Sequence, residues 1–279
     1  MLVGLKELVD KAADNRYAVA AFNVFGYEDA IAVVRAAEQL KAPVILAANV
    51  PAVRHMPLEY LAPILLTAAK AASVPVCVHL DHGNDYAYIE QAIRHGFTSV
   101  MYDGSQLPLA DNIRRTREIV RLARKHGVSV EAEIGSVGYS DPSIPMKHEY
   151  SDPDEVEVFV RETEIDAVAV SVGTVHRMEE QQASIDFDLL ERIQRKTRTP
   201  LVIHGSTGVP DADLRRLALS RVGKINIGTA LRLAFGRTLR EEMERNPREF
   251  DRIKLFQRPM EAVTGEALRK LKILGFGEC

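Results

Sequence analysis

The chain has 279 residues, 46% of them hydrophobic and 27% charged, with a formal net charge of −3 and no basic cluster, which argues against a nucleic-acid partner. No apolar run approaches the ~18–20 residues that a membrane span requires. The N-terminal "MLVGLKELVDKAADNR" lacks the basic and apolar regions of a secretion signal, so a cytoplasmic protein is expected.

In chain order, short β-branched apolar runs recur: "AVAAFNV" from 18, "PVILAAN" from 43, "PVCVHLDH" from 75, "TSVMYDG" from 98, "VSVEAEIG" from 128, "DAVAVSVG" from 166, "PLVIHGS" from 200 and "KINIGT" from 224. Helix-period segments lie between them, among them "DAIAVVRAAEQLK", "LADNIRRTREIVRLARKHG", "DPDEVEVFVRETE" and "DADLRRLALSR". Several open on Asp and one closes on His-Gly, as capped helices do. Eight strand-then-helix units without a Gly/Ser/Pro-rich linker predict the α/β class, as a single (β/α)8 TIM barrel over residues 1–279. Cys77 lies within the third run and Cys279 is the last residue, so neither a disulfide nor a thiolate metal site is expected.

Polar residues gather where these runs end: Asn23, Asn49, Asp81, His82, Asp103, Glu131, Glu133, His176, His204, Asn226 and Thr229. In such barrels that end carries the chemistry. His82, His176 and His204 close the third, sixth and seventh runs, and three imidazoles with an open position fit a catalytic zinc ion. Asp81, beside the first of them, is placed to move a proton at a bound substrate, or alternatively to orient a ligand histidine. Asp103 and Glu133 can hold a second divalent ion, meet substrate hydroxyls, or cap the following helices.

The loops "HGSTG" and "NIGTA" follow the seventh and eighth runs, where this fold commonly holds phosphate. A Lewis-acid metal, a nearby base and a phosphate site together describe enolisation of a phosphorylated ketone. A lysine Schiff base finds no residue, because Lys224 sits at the start of the eighth run and no run ends on lysine.

The ordered series "HLDHG", "MYDGS", "EAEIGSVG", "VSVGTVHR", "LVIHGSTGVP" and "KINIGTALR" resembles the class II, metal-dependent ketose-bisphosphate aldolases, which include fructose- and tagatose-bisphosphate aldolases, over nearly the whole chain. The resemblance implies a lyase that reversibly cleaves a phosphorylated ketose, a 1-phosphate or 1,6-bisphosphate, into dihydroxyacetone phosphate and an aldehyde through a metal-stabilised enediolate. It implies zinc on His82, His176 and His204, a second metal position at Asp103 and Glu133, and Asp81 as the acid/base at the aldehyde oxygen. By the same resemblance Gly205, Ser206 and Thr207 with Asn226, Ile227, Gly228 and Thr229 bind the triose phosphate. Apolar surface on the outer helices fits a homo-oligomer, a dimer or tetramer.

Three departures from the family pattern bear on the substrate. Gly138-Tyr139-Ser140-Asp141-Pro142 stands where the family usually has a mobile "GG-x-E-D" loop, so Asp141 takes the place of the catalytic glutamate or serves as a turn residue. "AANVPAV" lacks the serine that commonly helps hold a distal phosphate. Arg177 replaces the usual glycine after the histidine; it either turns outward, to solvent or to Glu179 or Glu180, or faces the mouth and binds an anionic substrate group. The alternatives are therefore a family member acting on a different anionic ketose phosphate, or a non-catalytic barrel subunit.

Overall fold

The computed structural model describes residues 1–140 and 148–277. Each apolar run forms a strand: β1 (Val19–Asn23), β2 (Val44–Asn49), β3 (Val76–Gly83), β4 (Ser99–Tyr102), β5 (Ser129–Ile134), β6 (Ala167–Val170), β7 (Leu201–Ile203) and β8 (Val222–Ile227). All pair in parallel in chain order, and β8 returns to β1, with Val19 opposite Lys224, so the sheet closes as a barrel.

The helices are α1 (Leu5–Asn15), α2 (Tyr27–Leu40), α3 (Val50–His55), α4 (Leu58–Ala71), α5 (Tyr86–Arg94), α6 (Leu109–Arg124), α7 (Pro153–Thr163), α8 (Phe187–Lys196), α9 (Asp211–Ala218), α10 (Thr229–Arg245) and α11 (Arg252–Ile273). Among the described residues none is long and apolar enough to cross a membrane. Asp152 caps α7 by accepting from the Asp154 and Glu155 amides. Asp29 and Asp211 lie inside the first turns of α2 and α9 instead, where their charge favours the helix dipole.

Both faces of every strand are buried, which is why the runs read as continuously apolar. Outward residues such as Phe22, Leu46, Val78, Val100, Val168 and Ile225 pack under the helices. Inward residues Val19, Ala21, Ile45, Ala47, Cys77, Met101, Ala167, Ala169 and Val202 form a second, inner core, closed by Leu5, Leu8, Val9 and Ala12 of α1. The sequence reading did not foresee α1; its apolar face plugs the end of the barrel opposite the polar strand ends.

Alanines take both inner positions of β6 and one each in β1 and β2, namely Ala167, Ala169, Ala21 and Ala47. The volume they leave is filled by long polar side chains from β3, β5 and β8: His79, Glu131 and Lys224, all fully buried. Lys224 is the third residue of β8, which begins at Val222, and its Nζ lies 2.8 Å from Glu131 Oε2. It is thus a structural cation below the site, held away from any substrate.

Candidate active site

A bulge positions the first two site residues. Between Leu80 and Gly83 the β3–β4 register slips, three steps on β3 matching two on β4, as Leu80 faces Val100 and Gly83 faces Tyr102. In a regular strand, neighbours point to opposite faces; the extra residue lets Asp81 and His82 both face the barrel mouth. His82 holds φ 52, in the left-handed region. Among the described residues five non-glycine residues have positive φ. Three, Arg16, Lys41 and Glu164, are helix C-caps, whereas His82 and Arg177 lie at the cavity, where strain of this kind concentrates.

One cavity collects most of the expected residues: Asp81, His82, Asp103, His176, Arg177, His204, Gly205, Ser206, Thr207, Asn226, Gly228 and Thr229. Glu133 lies buried behind His82, and Ile227 packs outward into the layer beneath the helices. Asp141 lies outside the described residues.

The three histidine rings face one another, with centroids 4.5 Å (His82–His204), 5.0 Å (His82–His176) and 6.1 Å (His176–His204) apart. One nitrogen from each lies within 4.8 Å of the others. His82 Nδ1 donates to Asp103 Oδ2 at 2.8 Å, and His204 Nε2 donates to Glu131 Oε1 at 2.8 Å. Their other nitrogens, His82 Nε2 and His204 Nδ1, are buried without a hydrogen-bond partner among the described residues. Buried polar atoms are rarely left so, and two orphans aimed at a third imidazole, each ring oriented by a carboxylate, fit a metal ion.

Electrostatics separates the groups. Burial alone would raise the Asp81 pKa, but His82, His204 and Lys224 outweigh it and hold the carboxylate ionised. Burial lowers the His82 pKa, yet Asp81 and Asp103 overcome this and lift it to about 10. Burial and the charge of His82 push His176 and His204 down. Glu133 rises to about 8, first through burial and then through the nearby Asp103, and its Oε2 has no hydrogen-bond partner. His82, Asp103 and Glu133 form a second group with metal-ligand spacing that shares His82 with the first.

Asp81 accepts from two carboxamides, Asn23 Nδ2 at 2.7 Å and Asn226 Nδ2 at 2.9 Å, while Oδ1 lies 3.9 Å from His204 Nδ1. The sequence showed Asn23 and Glu131 as polar strand ends but gave them no role. The structure makes one a brace for Asp81 and the other a brace for His204.

After β7, Gly205 holds φ 66 and opens a short 3-10 turn, Ser206–Gly208. A Cβ at Gly205 would stand 2.7 Å from the Val175 carbonyl, so glycine is required there. Thr207 Oγ1 accepts from the Ala230 amide, tying this turn to the start of α10. The two loops form a cradle of hydroxyls and amide groups at a helix N-terminus, a favourable place for an anion.

Arg177 is exposed at the rim, lining both this cavity and an outer groove that it shares with Glu179, and among the described residues it makes no ion pair with Glu179 or Glu180. Its guanidinium lies 5.5 Å from the Tyr139 ring centroid, and Tyr139 in turn packs on His176 at 4.9 Å. Arg232, which the sequence reading did not single out, lines the same cavity, donates to Thr229 Oγ1 at 3.0 Å and lies 5.7 Å from the Phe25 ring centroid.

The family model for class-II fructose-bisphosphate aldolase matches residues 3–278. A probable fructose-bisphosphate aldolase of Bacillus subtilis is 36% identical over 279 residues, covering 98% of both chains. A 6-phospho-5-dehydro-2-deoxy-D-gluconate aldolase of the same organism is 38% identical over 252 residues, 88% of this chain and 85% of that one. The crystal structure of the YdjI aldolase from Escherichia coli K12 superposes with a TM-score of 0.87 at 33% identity, covering 99% of this chain and 98% of that chain.

Proposed function

The chain belongs to the class II fructose-bisphosphate aldolase family and is a lyase of the aldolase type, and from that premise we propose that it reversibly cleaves a phosphorylated ketose into dihydroxyacetone phosphate and an aldehyde with the help of a zinc ion. The observation that carries this reading is the convergence of the unpartnered His82 Nε2 and His204 Nδ1 on His176 beside the cavity. These three side chains would hold the ion. Bound there, a zinc ion would supply Lewis acidity toward a substrate carbonyl oxygen. Asp103 and Glu133 offer carboxylates to a second divalent ion beside His82.

The chain's own residues do the rest. Asp81, ionised and braced by Asn23 and Asn226, takes the hydroxyl proton on the aldehyde side during cleavage and returns it during condensation. Gly205, Ser206, Thr207, Gly228 and Thr229 seat the phosphate of the triose half, and Asn226 keeps Asp81 turned toward the reacting carbons. Asp141 moves the proton at the triose carbon, a role carried by its position in the sequence. The family and sequence features also support one domain, a cytoplasmic location and a homo-oligomer, a dimer or tetramer.

The test is a screen of ketose 1-phosphates and 1,6-bisphosphates with triose phosphate release as the readout, before and after chelation. Activity that disappears with chelator and returns with zinc supports the proposal. Covalent trapping of substrate on a lysine by borohydride would overturn it.

A further inference from the structure

His176 is held differently from the other two imidazoles. His82 and His204 each place one ring nitrogen 2.8 Å from a carboxylate oxygen, whereas among the described residues no hydrogen bond reaches the His176 ring. A ring torsion of this kind has a broad energy well, so an imidazole without a braced nitrogen keeps one orientation only if packing enforces it. The packing comes from the loop after β5. The His176 amide donates to the Gly138 carbonyl at 2.8 Å, and the Ser140 amide donates to the His176 carbonyl at 3.0 Å, so Tyr139 and His176 are partners in an isolated parallel bridge. Bridge partners carry their side chains on the same face. The two ring centroids accordingly lie 4.9 Å apart, with 33° between the planes. His82 and His204 meet His176 nearly edge-on instead, at 74° and 67°, which leaves Tyr139 as the ring most nearly parallel to it.

Tyr139 is itself fixed from two sides. At the start of its segment the Ser136 amide donates to the Glu149 carbonyl at 2.7 Å and the Glu149 amide donates back at 3.0 Å, and a Cβ at Gly138 would stand 3.0 Å from His148, so the returning chain lies close against it. Just past the bridge, Arg177 takes its left-handed φ of 60, and its guanidinium lies 5.5 Å from the Tyr139 ring centroid, within reach of a cation–π contact. We propose that Tyr139 is a positioning residue whose ring holds the His176 imidazole in the orientation that completes the three-nitrogen cluster, as Asp103 and Glu131 do for His82 and His204. The metal half of this inference rests on the zinc reading; the orientation half needs no metal. The device is apolar packing, so the Tyr139 hydroxyl is dispensable to it.

The experiment takes the two halves separately. In metal-free protein carrying isotope-labelled histidine, with His176→Gln assigning the signal, magnetic relaxation of the His176 ring should report an ordered group in wild type and in Tyr139→Phe, which keeps the ring. Tyr139→Leu and Tyr139→Val remove the ring but leave the backbone bridge, and in either one the His176 imidazole should gain fast motion. Equal order in wild type and these variants would overturn the proposal and leave His176 held by its backbone alone. Competition for zinc against a chromophoric chelator should find affinity about 3- to 10-fold weaker in Tyr139→Leu and Tyr139→Val, the loss expected of one aromatic pair, with Tyr139→Phe within about twofold of wild type. A smaller loss in the first two, or an equal loss in Tyr139→Phe, would also overturn it. Failure of the wild type to bind zinc would count against the zinc reading, while the ring relaxation would still decide the role of Tyr139.

Discussion

His204 Nε2 lies 2.8 Å from Glu131 Oε1, and Lys224 Nζ reaches both oxygens of the same carboxylate, 3.1 Å from Oε1 and 2.8 Å from Oε2. Lys224 helps hold Glu131 ionised, its pKa down at about 2 in spite of burial. The ionised Glu131 fixes the tautomer that presents His204 Nδ1 to the cavity. Glu131→Gln should therefore weaken zinc binding by about 10- to 100-fold without emptying the other two histidines of their role. Competition against a chromophoric chelator measures this, and an unchanged zinc affinity would leave Glu131 as a partner of Lys224 only.

Asp81→Asn keeps shape and hydrogen-bonding capacity but cannot accept a proton. It should retain zinc and lose about 10²- to 10⁴-fold in turnover. A mutant within about threefold of wild type would remove Asp81 from the proton transfer. His204→Ala should lose the metal along with activity, since two imidazoles hold zinc poorly; full zinc occupancy there would contradict the ligand assignment.

Zinc affinity should rise with pH. Burial opposes the charged form of His82, but Asp81 and Asp103 outweigh it and raise its pKa to about 10. His176 and His204 are already neutral at pH 7, their pKa values lowered by burial and by His82. Zinc must displace the His82 proton, so below about pH 10 each unit of pH should strengthen binding toward tenfold, with about one proton released. Calorimetry in buffers of different ionisation enthalpy counts that proton, and binding without proton release at pH 7 would count against the assignment.

Cys77 should resist alkylation in the native protein. It is fully buried, and burial raises its thiol pKa to about 12. Peptide mapping after iodoacetamide at pH 8 should find Cys77 unmodified until denaturant is added. Native labelling would mean that the inner barrel core opens far more readily than its packing implies.

Asp141→Ala should slow exchange with solvent of the triose-carbon proton of dihydroxyacetone phosphate. Unchanged exchange would assign that step to another group.

The barrel and the histidine cluster were legible because each depends on local sequence: a buried parallel strand reads as an apolar run, and a site residue reads as the polar residue that ends it. His82 and His204 obey that rule, whereas His176, expected to close the sixth run, stands six residues past Val170, the last residue of β6, on the loop that follows. What it could not show depends on where separate segments meet. The bulge that turns Asp81 and His82 to one side is a matter of register with β4. The braces Asn23–Asp81 and Glu131–His204 join residues 58 and 73 positions apart. Arg232 resembled any charged residue on an exposed helix until the closed barrel placed it on the cavity. Even α1 went unforeseen, because the barrel end it plugs exists only after eight strands have closed.

The backbone of His82 carries a consequence for the evolution and engineering of this chain. At φ 52 a glycine is more comfortable than a histidine, so the wild-type residue is a local loss of fitness for the fold, retained for its ring. Thermal selection applied without demanding activity should drift toward glycine at this position, and stabilising designs drawn from folding criteria alone would erase this imidazole first.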